Sequence, residues 1–209
     1  MEIRLLHGAA IAPYIDDLAR LRLSVFREFP YLYDGTPEYE ADYLAAYARS
    51  GRSLVVLALD DGKVVGASTG LPLVDVAPEF QQPFLAQGRD PASVYYFGES
   101  LVLPEYRGQG LGVRFFIERE SYAHKLAEFD YCAFCAVERP GVHPRRPADY
   151  KPLHGFWRNR GFLHDPSLRT TYAWRDLDEQ ESSDKLMSFW LKELRYDPPG
   201  GLPVRHRTA

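Results

Sequence analysis

Between residues 99 and 112 the chain reads Glu-Ser-Leu-Val-Leu-Pro-Glu-Tyr-Arg-Gly-Gln-Gly-Leu-Gly. A strand pattern over Ser93 to Leu103 runs into Pro104. A turn with glycine at 108, 110 and 112 then opens onto a helical pattern that continues to Ala127. Glycines let backbone N–H groups converge with no Cβ in the way. At a helix N-terminus those donors lack intrahelical acceptors, and the helix dipole favours an anion there. A phosphate or pyrophosphate is the natural guest; tight packing of helix on strand is the other use of such glycines. A nucleotide P-loop would need Gly-Lys-Ser/Thr where this chain has Gly112-Val113-Arg114. A dinucleotide fingerprint would need Gly-x-Gly-x-x-Gly beside the first strand, and the spacing here is Gly-x-Gly-x-Gly, far along the chain.

The segment Arg107-Gly108-Gln109-Gly110-Leu111-Gly112 resembles the acyl-CoA signature Gln/Arg-x-x-Gly-x-Gly/Ala of the GNAT N-acetyltransferases. Val102-Leu103-Pro104-Glu105-Tyr106 is similar to that family's approach strand. Phe156-Trp157-Arg158-Asn159-Arg160-Gly161-Phe162 is similar to its later helix-to-strand segment. The resemblance spans about Leu54 to Tyr172 in element order. It implies acetyl-CoA as co-substrate, no metal, and direct acetyl transfer to an amine of a small molecule or peptide in a ternary complex. It also implies that backbone amides of Arg107, Gly108, Gln109, Gly110, Leu111 and Gly112 grip the pyrophosphate. The pantetheine arm is expected along the backbone of Leu101, Val102 and Leu103. Arg114, Arg158 and Arg160 are candidates for the 3′-phosphate, or are solvated helix-face arginines. A non-catalytic acyl-CoA sensor is the alternative, because Trp157 stands where many relatives carry a tyrosine and an indole releases no proton.

An attacking amine must lose a proton, and the departing thiolate benefits from an acid. Glu99 is the candidate base; relatives often place an acidic residue on this strand. Strand alternation groups it with Phe97 and Leu101, and its other reading is a buried glutamate holding an amide or an arginine. Tyr150 and His154 are the substitute candidates for the acid, four residues apart on one helical face over 148–159. The acceptor is expected against Glu28 to Gly35, unusually aromatic for a connector. Tyr31 and Tyr33 offer flat faces with polar tips, and Asp34 an ammonium partner, unless the rings simply pack the helices. His143-Pro144-Arg145-Arg146-Pro147 is a small basic patch, a solubilising loop or a place for an anionic acceptor. Cys132 and Cys135 form Cys-x-x-Cys on a strand, where an offset of three puts them on opposite faces, so neither bridging nor joint ligation is expected.

The elements that must carry these groups follow from periodicity. Glu2 to Leu6, Ser53 to Leu59, Lys63 to Gly70, Tyr131 to Val137 and Thr170 to Trp174 read as strands, with Asp60-Asp61-Gly62-Lys63 a hairpin turn. Ile11 to Phe29 is an amphipathic helix, Thr36 to Ser50 a second one capped by Thr36, and Asp178 to Tyr196 a C-terminal helix. Pro72 to Pro91 is a loop with at most one helical turn. The fold class is mixed α/β (α+β): a GNAT fold with a largely antiparallel central sheet and helices on both faces. One domain over 1–196 is expected, with 197–209 a disordered tail. Phe189 and Trp190, on the C-terminal helix, close the core or form a homodimer contact. In 209 residues the charges sum to −4, against nucleic acid as a partner. No 18-residue apolar run and no basic-apolar leader is present, and two cysteines exclude a disulfide scaffold. A cytoplasmic location with no membrane partner is expected.

Overall fold

A seven-stranded sheet, in the order β1-β2-β3-β4-β5-β7-β6, organises the computed structural model, which describes residues 1–194. The strands are β1 (Glu2–Leu6), β2 (Leu54–Asp60), β3 (Lys63–Pro72), β4 (Val94–Val102), β5 (Tyr131–Val137), β6 (Leu163–Trp174) and β7 (Ser183–Glu193). Every neighbouring pair is antiparallel except β4 and β5, which run parallel. β2 and β3 join through Asp61 (φ 46°) and Gly62 (φ 78°), the two positive φ values that a tight Asp-Gly hairpin turn demands. The helices are α1 (Ile15–Val25), α2 (Pro37–Arg49), α3 (Pro78–Ala86), α4 (Leu111–Leu126) and α5 (His154–Arg158). The expected tail 197–209 lies outside the described residues.

Alternation along β2 explains how both sheet faces are covered. Val55, Leu57 and Leu59 enter one cluster with Leu18 and Leu21 of α1 and Leu44 and Tyr47 of α2. Leu54, Val56 and Ala58 face the opposite way, onto Phe115 of α4. A phenyl ring buried as completely as Phe115 contributes about 1.5–3 kcal/mol. Cys132 and Cys135 fall into the two different clusters, on opposite faces of β5 as their spacing requires.

Three expectations need correction. The expected C-terminal helix is strand β7, inserted between β5 and β6. Phe189 and Trp190 are buried inside the chain, at 0% and 3% exposure, so neither is free for a dimer contact. The expected loop 72–91 contains the nine-residue helix α3. Pro83 lacks the N–H that would meet the Glu79 carbonyl, and Thr170 Oγ1 of β6 donates to that carbonyl at 2.7 Å instead. Finally, the helix expected over 148–159 is only α5; Tyr150 precedes it, so Tyr150 and His154 share no helical face.

Candidate active site

β4 positions the site because it breaks the sheet in two ways. It is paired with β5 over only three residues, Val94 to Tyr96 against Tyr131 to Ala133, and the strands then diverge into a wedge. It also carries a bulge: Ser68 faces Ser100 and Gly70 faces Phe97, so three steps on β4 match two on β3. The extra residue turns Glu99 onto the α1/α2 face with Leu101, whereas Phe97 remains on the α4 face. The expected grouping of Glu99 with Phe97 therefore fails at the bulge.

The backbone lining this wedge differs in part from expectation. Leu103 N–H donates to Val65 O, and alternation turns Leu101 toward β3 as well. Of the three residues expected to offer backbone to a pantetheine arm, Val102 is the one whose polar groups face away from β3, together with those of Ser100.

At the end of the wedge the glycine turn is built as its spacing suggests. Gly108 (φ 77°) and Gly110 (φ 84°) are left-handed, and a Cβ on either would meet nothing within 4 Å. Gly110 caps α4 with no side-chain bond, so the first-turn amides beginning at Leu111 open onto unobstructed space. At Gly112 a Cβ would come within 3.2 Å of Phe156, which lets α5 pack close beside the turn. The Arg107 side chain does not face this space. Its guanidinium holds Glu28 at 2.8 and 3.0 Å and Val102 O at 3.0 Å, tying the turn to the α1–α2 connector. Gln109 donates back to Glu105 O, and Arg114 pairs with Glu118 at 2.5 Å. Arg158 lies over Trp190, and Arg160 over Phe156. An exposed, uncapped helix end cleared of side chains fits a pyrophosphate through main-chain donors.

On the α1/α2 side, Glu99 lines a cavity of about 510 Å³ that also includes Tyr31, Tyr33 and Asp34. Its carboxylate is buried. Oε1 lies 2.8 Å from Arg22 Nη1, an ion-pair contact without an aligned hydrogen bond, and Oε2 accepts from the Tyr43 hydroxyl at 3.2 Å. Arg22 Nε also donates to Glu40, whose side chain is fully buried. Burial by itself would lower the Arg22 pKa, but Glu99, Tyr43 and Glu40 hold it well above its usual value. Burial, then Glu99, pushes the Tyr43 hydroxyl upward, and burial does the same to Tyr31 and Tyr33. The tyrosines around this cavity thus act as hydrogen-bond donors and apolar faces, not as phenolates.

The connector is fixed from the far side. Arg139 grips Asp176 at 2.6 and 2.9 Å and donates to Pro30 O and Tyr31 O, both at 2.7 Å. Trp174 Nε1 donates to Tyr31 O. Asp34, expected to hold an ammonium, is instead paired with Arg175 at 2.6 Å and Arg27 at 3.3 Å.

Tyr150 and His154 stand apart from Glu99, in a second cavity of about 330 Å³ walled by Phe29, Ala136 and Trp190. Burial raises the Tyr150 hydroxyl pKa. Burial, with Arg158 and His164, lowers that of His154. Arg146 of the expected basic patch covers Phe29 and Tyr150 here. Among the described residues no three His, Cys, Asp or Glu side chains converge as a metal site would require, and no helix is long and apolar enough to cross a membrane.

Five buried charges are absent from the sequence reading: Asp176 and Lys185 beside the connector, and Arg22, Glu40 and Arg119 around Glu99. Arg119, 1% exposed, donates to Glu99 O, Thr69 O, Phe115 O and Ser100 Oγ, between the rings of Phe97 and Phe116. It clasps both strands at the bulge, and its burial pushes its pKa down to about 10. A signal existed: Arg22 is four residues after Leu18, and Arg119 four after Phe115, each on the apolar face of its helix.

Comparison with curated proteins returns no similar chain. Among solved structures, the ribosomal-protein-alanine N-acetyltransferase of Brucella melitensis aligns with TM-score 0.59 at 15% identity, over 93% of this chain and all of that one. A putative acetyltransferase of Salmonella typhimurium, solved with its cofactor acetyl-CoA, aligns with TM-score 0.59 at 8% identity, over 96% and 99%. An N-acetyltransferase of Thermoplasma acidophilum in complex with coenzyme A gives 0.53 at 14%, over 92% and 99%. At such identities the likeness is one of fold. The family model for acetyltransferases of the GNAT family matches residues 18–146, from α1 through the bulge and the glycine turn to the loop after β5. That stretch is more than half of the sequence, and the chain belongs to the GNAT acetyltransferase family.

Proposed function

We propose that this protein transfers an acetyl group from acetyl-CoA to the amine of a small molecule or peptide, by direct attack while both substrates are bound. The observation that carries the reading is the meeting of two features at the β4 bulge: a buried carboxylate, Glu99, facing an open-mouthed cavity, and a divergent strand edge leading to the uncapped turn 107–112. Acetyl-CoA supplies an activated thioester. The main-chain donors of Arg107 to Gly112 bind its pyrophosphate, and the Ser100 backbone and the Val102 N–H are offered to the arm that reaches the bulge, the Val102 carbonyl being held by Arg107.

Glu99 takes the proton that an ammonium must lose before its nitrogen can attack. As the C–N bond forms and the C–S bond breaks, the thiolate needs a proton; Tyr150 and His154, in the second cavity beside β5, are the candidate sources. A donor made and used inside the cell supports a cytoplasmic location. The alternative, an acyl-CoA sensor, draws on Trp157, which packs against Phe134 and Trp190 and brings no hydroxyl.

The test is thermal. At a hundredfold excess over Kd, acetyl-CoA should stabilise the fold by about 2.7 kcal/mol, or roughly 5–10 °C for a chain of this size, with no such effect from ATP or NAD. Glu99→Gln should keep that shift and lose about 10²–10³-fold in amine-dependent CoA release. An unshifted melting curve overturns the donor; full turnover in the variant overturns the base; binding without turnover for any amine selects the sensor.

A further inference from the structure

The cavity in front of Glu99 has walls of one kind and a floor of another. Nine of its lining residues are Phe, Tyr or Trp. Its floor holds the ion pair Arg22–Glu99, and behind it Arg22 is shared with a second buried carboxylate, Glu40, so that the three side chains carry a formal charge of −1 with almost no solvent contact. No aligned hydrogen bond reaches Glu40 Oε1 or Glu99 Oε1; Arg22 Nη1 lies 2.8 Å from the latter, and the Tyr33 hydroxyl bonds the Glu40 carboxylate. An uncompensated buried carboxylate is costly unless something cationic completes it. Arg22 is shared between the two carboxylates, Arg119 reaches Glu99 only at its main-chain carbonyl, and Asp34 is held by two arginines, so a cationic group on a ligand would balance the triad.

The same cavity already shows how it holds a cation. The Arg22 guanidinium carbon lies 4.1 Å from the centre of the Tyr43 ring and 5.0 Å from that of Phe26, the arrangement by which aromatic faces attract positive charge. Glu181, at the mouth, is exposed and screened by water. A volume of about 510 Å³ is that of a small-molecule pocket.

Resting on the acetyl-transfer reading of this site, we propose that the acceptor is a small molecule: a primary ammonium on a short arm from a flat, apolar ring, carrying no carboxylate. The ring takes up the aromatic walls, and the ammonium supplies the charge that the Arg22–Glu40–Glu99 floor lacks. A carboxylate beside the amine, as in an amino acid, would be set against Glu99, with Arg22 and Arg175, the arginines of the lining, already paired to Glu99 and Asp34. A linear polyamine would cover the floor but bring hydrated charge against the rings.

Isothermal titration of the full chain saturated with CoA tests this without requiring turnover. The probes are 2-phenylethylamine, 2-phenylethanol (the same body, uncharged), phenylalanine, spermidine and an alanine-initiated tripeptide. 2-Phenylethylamine is expected to bind at least tenfold more tightly than any of the others. Glu40→Gln, which removes the floor's excess charge, should narrow the gap between amine and alcohol by about tenfold. If that variant does not fold, the panel on the unsubstituted protein decides alone. Equal binding of the alcohol, tighter binding of phenylalanine, spermidine or peptide, or no binding of 2-phenylethylamine at millimolar concentration overturns the proposal. An acetyl-CoA shift without 2-phenylethylamine binding refutes the acceptor class and leaves acetyl transfer standing. 2-Phenylethylamine binding without CoA release does the reverse.

Discussion

Replacing Arg22 by Met probes the charged floor of the acceptor cavity most directly. The substitution keeps the length and apolar stem of a side chain only 7% exposed, while removing the one cation shared by Glu40 and Glu99. Removing one partner of a buried ion pair costs about 3–5 kcal/mol, because the other charge stays desolvated. Two carboxylates are stranded here, so the upper half of that range is expected. At roughly 2–4 °C per kcal/mol the melting temperature should fall by about 8–20 °C. The paired surface control is Arg20→Met, whose partner Asp17 is 45% exposed; its loss should stay within about 1 kcal/mol. The assay is urea unfolding at pH 5 and pH 8. In Arg22→Met the folded state holds protons on the stranded carboxylates more readily than the unfolded chain does, so its stability falls as pH rises. The deficit should therefore be larger at pH 8 than at pH 5, and adding Glu40→Gln and Glu99→Gln should recover much of it. A deficit below 1 kcal/mol, or one equal at both pH values, would mean that water reaches the floor and would refute the buried-charge reasoning.

Two further outcomes follow from the same geometry. Arg119→Met strips donors from the buried Glu99 and Thr69 carbonyls at about 1–3 kcal/mol each. Relief of a desolvated cation offsets part of this, leaving a net loss near 2 kcal/mol in urea unfolding. If Arg119 positions Glu99 through the bulge, the acidic limb of the kcat–pH profile should move as well, and Lys, which lacks the guanidinium fork, should restore neither property; restoration by Lys would sink the positioning role. Separately, burial pushes the Cys135 thiol pKa up to about 12 and raises that of Cys132 further, so neither is a thiolate near neutrality. A thiol-disulfide reagent at pH 8 should label no cysteine in the folded protein and two in urea; rapid labelling of the folded protein would contradict their burial.

Local chemistry made much of this fold readable. β1 and β5 occupy the residues their patterns indicate, because one is short and edge-placed and the other is apolar throughout. The Thr36 cap is real, accepting from Tyr39 N–H. β7 was misread for a physical reason. Over 187–191 it is buried on both faces between β5 and β6, so that stretch has no polar alternation to report a period of two. Leu186, Phe189, Trp190 and Leu194 then mimic helical spacing, although Met187, Phe189 and Leu191 are the residues that share a core face. β6, an edge strand largely exposed and containing Pro166, gave too little apolar signal over its first half.

The site divides along the same line. The glycine turn could be found from sequence because its function is carried by backbone, and backbone geometry is written in glycine and proline. The acceptor side is carried by groups whose meaning depends on tertiary partners: Arg22 on α1, Glu40 on α2 and Glu99 on β4 become one unit only when α1 and α2 lie over the bulge. Arg22 and Glu40 alone read as ordinary charges; Glu99 stands out in the sequence only because it lies on the strand that feeds the glycine turn. What gives them away is cost: a full charge set within an apolar helical stripe must find a partner or destabilise the fold. Applied to Arg22 and Arg119, that rule points to the two sides of β4 at one place, the bulge that turns Glu99 into the cavity. The charges that local pattern cannot explain are thus the ones that locate where the sheet is bent for chemistry.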